Sequence, residues 1–334
     1  MVYIEYFPLR NRFPFLKVAI AAVASVSVFS GASLTHVEDM KVTATMTSMQ
    51  LPKWSNGALV AARFGNPKSP SIWMFDRRGE RQLSFSVPGA ESTLIYDCDL
   101  GADGTIGISG SAIDSEKRVA GFVAWISADG TSSRIIRTGL YRPAMVTVAP
   151  DGTLWTVGKE TTNLTSPVEI IPHAGVVRHF DRSGSMMGAY VQQYTIRNPI
   201  LTLSGSRNTL RASKDRIAWY SVDGKYVEIS LAGKILMDIA LGIPLGDGKP
   251  LTDRISFALT NDGDAILSVP YVISSSKDEI SRTYVLDRAA GAWKPIQTTT
   301  EQPSREGSGY IYGVDGRRVV FMRDTIVQFY AIGK

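Results

Sequence analysis

The chain has 334 residues, 44% of them hydrophobic and 20% charged, with a formal net charge of +5, one cysteine and three histidines. That composition fits one large or two ordinary globular domains and excludes disorder, collagen and a polytopic membrane protein. A single thiol cannot build a disulfide framework or a thiolate zinc cluster, because both need several.

In chain order the first feature is an export signal. Arg10, Arg12 and Lys17 precede an apolar, small-residue run over 18–29, and Ser30-Gly31-Ala32-Ser33 follows it. A basic start, a short apolar stretch and small residues at a cleavage point describe a secretory signal peptide over 1–33. The run is shorter than the roughly 20 apolar residues that span a bilayer, so membrane contact is expected only if the segment stays uncleaved as an anchor. The chain is therefore expected in a periplasmic or extracellular space. Without residues 1–33 the balance is 33 basic against 30 acidic residues. That excess is too small to argue for nucleic acid.

Residues 34–50 read as a linker and a strand, and 51–334 as a repeat. Asn56-Gly57, Asp103-Gly104, Asp151-Gly152, Lys214-Asp215, Asp262-Gly263 and Asp315-Gly316 are separated by 47, 48, 64, 47 and 53 residues. Asn-Gly and Asp-Gly supply the positive φ of two-residue hairpin turns, so each is expected to join two antiparallel strands. The flanks are β-branched and aromatic runs of strand length, such as 145–148 before Asp151 and 153–157 after Gly152, and no helical period is sustained. A second turn series ends at Gly79, Gly130, Gly184, Gly233 and Gly291. Two hairpins per unit give four strands per unit, near the period of propeller blades, so the expected fold is all-β, a six-bladed β-propeller. The last unit lacks an outermost strand. Residues 41–47, Lys-Val-Thr-Ala-Thr-Met-Thr, alternate like a strand without a hairpin partner. They are expected to close the ring in the last blade, which removes two sheet edges.

The third unit, running from Arg142-Pro143 through Ala149-Pro150-Asp151-Gly152-Thr153-Leu154-Trp155 to Phe180-Asp181-Arg182-Ser183-Gly184, resembles an NHL repeat and the related TolB-like six-bladed propellers. The resemblance covers 142–184, with fainter echoes elsewhere. It implies a superfamily that includes protein-binding scaffolds, sugar lactonases and a streptogramin lyase, among which fold alone does not choose.

If the tight turns share one face of the disc, the opposite face carries the long links at 111–118, 161–175, 242–254, 272–281 and 299–309, where binding residues tend to be placed. Arg142, Arg197, Arg254 and Arg305 lie on the passages into blades, and three of them stand 9, 8 and 10 residues before Asp151, Asp262 and Asp315. A partial ring of guanidinium groups at the channel mouth would hold a carboxylate, a phosphate or an acidic peptide. The alternative is that each answers a nearby acid such as Glu91, Asp253 or Glu306. His173 sits in the longest of these loops and joins the arginines as a candidate. Asp97 and Asp99 share one side of a strand and are the candidates for a cation at the axis, although the six to eight oxygens of a calcium site are not in evidence. Cys98, between them, faces the other way. His36 and His179 read as linker and packed imidazoles, and tryptophans 73, 125, 155, 219 and 293 as packing between blades.

Two functions follow. The first is an exported, non-catalytic propeller that binds a protein or a small anionic ligand through its loop face without a cofactor. The second is a metal-dependent lactonase-like or lyase-like enzyme using Ca2+ or another divalent cation at the channel. The scarcity of histidine and the absence of a Gly-x-Ser-x-Gly elbow favour binding.

Overall fold

The computed structural model describes residues 32–43, 52–62, 68, 70–165, 171, 174–192, 209–246, 248–298, 309–323 and 325–333. The signal segment before Ala32, residues 44–47 of the expected closing strand, and Arg197, Arg305 and His173 lie outside the described residues.

The recurring Asp-Gly pairs make a tighter pattern than a two-residue turn. In 149–153 the Ala149 N–H donates to the Thr153 carbonyl (2.9 Å) and the Gly152 N–H to the Ala149 carbonyl (2.8 Å). The Asp151 carboxylate accepts from the Thr153 N–H at 3.0 Å, and Gly152 takes φ +80°. The same backbone closure recurs at 101–105, 181–185, 221–225, 230–234 and 260–264. Aspartate is favoured because its side chain caps the turn, and glycine because the next position is left-handed. Only Asn56-Gly57 keeps positive φ at both residues, 47° and 84°, as the two-residue hairpin requires.

Strands follow from these turns. After β1 (Ser33–Lys41) come β2 (Lys53–Ser55), β3 (Ala58–Ala62), β4 (Ser71–Asp76) and β5 (Gly79–Ser84). The next sheet is β6 (Ser92–Leu100), β7 (Ile106–Ile113), β8 (Val119–Ile126) and β9 (Ser133–Gly139), followed by β10 (Tyr141–Val148), β11 (Leu154–Glu160), β12 (Gly175–Phe180) and β13 (Met186–Gln192). Then stand β14 (Leu210–Ala212), β15 (Arg216–Tyr220), β16 (Lys225–Ser230) and β17 (Ile235–Ala240). In the following sheet β18 (Lys249–Pro250) and β19 (Ser256–Leu259) both pair with β20 (Ala265–Val272), which leads to β21 (Glu279–Asp287) and β22 (Ala292–Pro295). The short β23 (Gln297–Thr298) precedes β24 (Ile311–Asp315), β25 (Arg318–Arg323) and β26 (Ile326–Gly333). Among the described residues there is no α-helix, and one 3-10 turn spans Thr252–Arg254.

Within each group the strands pair in sequence order, and the first strand of each group lies beside the first strand of the next: β2 by β6, β6 by β10, β10 by β14, β14 by β19, β19 by β24. β24 in turn runs parallel to β2 with Gly313 opposite Trp54. Glycine is required there, since a Cβ on Gly313 would stand 2.0 Å from the Trp54 carbonyl oxygen.

The apolar core lies between neighbouring sheets rather than at one centre. Val60, Ile72 and Met74 meet Ile95, Ile108 and Phe122; Val123 and Trp125 meet Val146, Leu154 and Phe180; Met145 and Trp155 meet Ile217 and Trp219. Tyr220 and Tyr226 pack on Phe257 and Leu267, Ala258 and Ile266 on Ile311 and Val319, and Val320 and Phe329 on Trp54 and Leu59. Sheets side by side, first strands gathered at one axis and cores between the sheets make a β-propeller.

The strand expected over 41–47 pairs from an earlier position. β1 runs antiparallel to β26, from Ser33 opposite Gly333 to Lys41 opposite Ile326, with a bulge between His36 and Glu38. The bulge breaks the two-residue alternation, and the polar run His36, Glu38, Asp39 hides the strand from a pattern search. Its anchor is Leu34, fully buried against Ile311, Val319 and Tyr330.

Candidate functional site

Around the axis, polar side chains of the first strands bond to the neighbouring strand. Lys53 on β2, 1% exposed, reaches Asp97 on β6 at 2.5 Å and the Val146 carbonyl on β10 at 2.7 Å. Asp97, 6% exposed, accepts in addition from the Val146 N–H (2.8 Å) and from the Cys98 N–H (2.9 Å). Burial pushes the Asp97 carboxyl up, and the Lys53 ammonium pulls it back down. Two residues nearer the hairpin, Asp99 accepts from Ser55 Oγ, from Thr147 Oγ1 (2.7 Å), and from the N–H groups of Leu100 and Val148 (3.0 Å each). Those four donors fill the roughly four acceptor sites of a carboxylate. Asp97 and Asp99 thus tie three sheets together, and their oxygens are already occupied by protein donors.

Across the axis Arg211 on β14 is 6% exposed. Its Nε donates to the Phe257 carbonyl on β19 at 3.0 Å and its Nη2 to the Tyr312 carbonyl on β24 at 2.9 Å. Beside it, the Ile311 N–H donates to Ser256 Oγ at 2.8 Å.

A cavity of about 500 Å³ opens here, walled by the ends of the first strands and their hairpin turns. Its polar side chains are Ser55, Asn56, Asp99, Thr147, Arg211, Asn261 and Asp315, and Trp54 supplies an aromatic wall. Asn56 Nδ2 donates to the Leu100 carbonyl at 2.6 Å, and Asp315 is held by Arg318. The cavity therefore lies at the tight-turn end of the axis, whereas the long loops were expected to carry the site.

The predicted residues fall in unlike places. Arg142, at the start of β10, is 7% exposed; its Nη2 donates to the Leu164 carbonyl at 3.4 Å and its Nε has no acceptor. Lys159 stands opposite it across the β10–β11 pair. Burial lowers both pKa values, and the Arg142 charge lowers that of Lys159 further. Arg254 is instead exposed and paired with Glu279 at 2.7 Å, so near-equal spacing from the turns does not give equal surroundings. Among the described residues no three of His, Cys, Asp and Glu converge. Cys98 is buried in the apolar cluster between the first two sheets, where burial raises its thiol well above the usual range.

Sequence reasoning passed over Lys53 and Arg211. One signal was available: Asp99, Thr147 and Arg211 each stand four residues before a turn aspartate, namely Asp103, Asp151 and Asp215.

His179, on β12, stacks on Trp155 with centroids 4.0 Å apart and planes 13° from parallel, and its Nε2 has no partner. Burial lowers its pKa against the smaller opposing pull of Asp151 and Asp181. A lowered folded value means that the unfolded chain binds the proton more readily, so the stability is complete above the ordinary value of about 6.5 and is lost as pH falls through the folded value. Urea midpoints measured between pH 7.5 and 5 are expected to fall with pH, with a shallower fall in His179→Phe.

No family model matches the chain, and no curated protein matches it. Among solved structures it is similar to BamB from Moraxella catarrhalis, at 10% identity over 89% of this chain and 99% of that one with a TM-score of 0.39. It is also similar to the Cps50 (Swd1) β-propeller domain from Myceliophteria thermophila, at 10% identity over 85% and 97% with a TM-score of 0.40. A third similarity is to a Trypanosoma rangeli sialidase, at 13% identity over 85% and 53% with a TM-score of 0.46.

Proposed function

We propose that the chain is an exported six-bladed β-propeller, its ring closed by β1, that binds a small molecule in its axial cavity without transforming it. Six groups of strands, the β24–β2 neighbours and the β1–β26 pairing support the count and the closure. The basic, apolar and small-residue pattern before Ser33 supports export. The pairing of Ser33 with Gly333 would be retained by a cleavage before residue 33.

One observation carries the choice of binding over catalysis. The cavity's buried carboxylate, Asp99, is already filled by four donors within the first strands, and Asp315 is paired with Arg318. General-base work needs a carboxylate or imidazole free to take a proton, and a bound cation needs free oxygens. Asp99 offers neither, and among the described residues no three of His, Cys, Asp and Glu converge, which speaks against the lactonase-like and lyase-like alternative. Of the two expected partner classes, the cavity favours a small ligand over a protein, since about 500 Å³ lies within the roughly 300–1,000 Å³ of small-molecule sites.

The test is one titration read two ways. Lactones, esters and small carboxylates are added with and without Ca2+ while product formation and tryptophan emission are followed. Emission is expected to change with at least one compound and to lose that response in Trp54→Phe, with no product formed; Ca2+-dependent turnover would overturn the reading.

A further inference from the structure

We propose that the axial cavity recognises a small oxyanion, a carboxylate or phosphate group, through the guanidinium of Arg211. This rests on the cavity being a binding site.

A guanidinium remains protonated in a protein, so Arg211 places a full positive charge at a position 6% exposed. Two backbone carbonyls, of Phe257 and Tyr312, take hydrogen bonds from Nε and Nη2, and no carboxylate of the described residues forms an ion pair with it. Nη1 donates to no described residue. A buried cation satisfied only by neutral carbonyls is costly to keep, and an anion in the adjoining space both neutralises it and fills its open donors.

The other side chains around the cavity decide the sign of the ligand. Asp99 is the nearest opposite charge on the wall, but its four acceptor sites are filled by Ser55, Leu100, Thr147 and Val148. An ammonium group would find no free oxygen there. Asp97 is occupied by Lys53, and Asp315 by Arg318. The acceptor sites of Asp99, the carboxylate buried in the wall, are thus filled while donor capacity on Arg211 remains open. A cation or a zwitterion held at both ends does not fit that balance; an acceptor-rich anion does. The remaining walls, Gly57 and Gly316 at the turns and the Trp54 ring, leave room for a ring or short chain behind the charged group.

Binding is measured on the mature chain in chloride-free buffer with four probes, benzoate, acetate, inorganic phosphate and benzamide, by calorimetry and by Trp54 emission. Benzoate and benzamide match in shape and differ in charge. The expected result is that benzoate or phosphate binds at least about tenfold more tightly than benzamide, the worth of one charge-assisted hydrogen bond. Comparison of phosphate with the carboxylates separates the two sources of the oxyanion. Arg211→Gln is expected to abolish the preference, and Arg254→Gln, on the exposed surface, to retain it. If Arg211→Gln does not fold, the wild-type ratio of benzoate to benzamide decides alone. Equal binding of benzamide and benzoate would overturn the oxyanion while leaving a small-molecule cavity in place. No binding of any probe would overturn both.

Discussion

Lys53→Met is expected to lower the unfolding free energy by about 3–5 kcal/mol, read by urea denaturation, because it strands a buried carboxylate. Lys53 and Asp97 are 1% and 6% exposed. After the substitution Asp97 keeps the N–H groups of Val146 and Cys98 but loses its counter-charge, and the Val146 carbonyl loses a donor. The effect carries a signature. Burial already raises the Asp97 pKa in the native chain, and without Lys53 it rises further. A carboxyl whose folded pKa is raised stabilises the fold as pH falls through that value, so the deficit of Lys53→Met shrinks in mild acid. The double variant Lys53→Met with Asp97→Leu is expected to lose less than Lys53→Met alone, since an apolar pair replaces an ion pair with little net cost, apart from the roughly 1–3 kcal/mol left by the unpaired Val146 groups. Equal losses in the single and double variants would show that the ammonium acts by packing alone.

Removal of residues up to Lys41 is expected to abolish cooperative unfolding. β1 covers β26 along its length, and Leu34 fills a space between Ala258, Ile311, Val319 and Tyr330. Glu38 adds a clasp, pairing with Arg77 and with Arg318 at 2.9 Å each. Without β1 the outer edge of β26 is bare, a ready template for association with another chain. Leu34→Ala isolates the packing part and is expected to cost about 2–5 kcal/mol. For the truncation, size-exclusion chromatography and urea unfolding are the measurements, and a synthetic peptide of residues 32–43 added in trans is expected to restore the transition. A truncated chain that unfolds at the wild-type midpoint would mean that β1 is an accessory.

Much of the fold was readable because its turns are chemically distinctive. Asp103, Asp151 and Asp262 with their following glycines stand where the chain reverses, and strand-length runs beside them pair as expected. The turn's closure over five residues was not readable, since Asp-Gly serves a two-residue loop and a longer one equally well. The strand beside β26 begins at Ser33, eight residues before the expected start at Lys41, because the bulge after His36 interrupts the alternation that a pattern search follows. The site was read less well. Asp97 and Asp99 stand two residues apart on one strand, but which donors meet them depends on Lys53, Ser55 and Thr147, distant in sequence and brought together only by the packing of neighbouring sheets. The arginine series failed for the related reason that position along the chain does not report depth: Arg142 is buried and Arg254 exposed.

The β1–β26 pairing also determines how the molecule answers tension. Ser33 lies opposite Gly333, so the two ends of the folded chain leave from one point of the same strand pair. A pull applied between them loads the hydrogen bonds one after another, as a zipper opens, rather than all together as sliding strands would. If the chain is held by an uncleaved N-terminal segment while its other end is drawn away, the clasp is therefore the first part to part, and it does so stepwise from Ser33 toward Lys41.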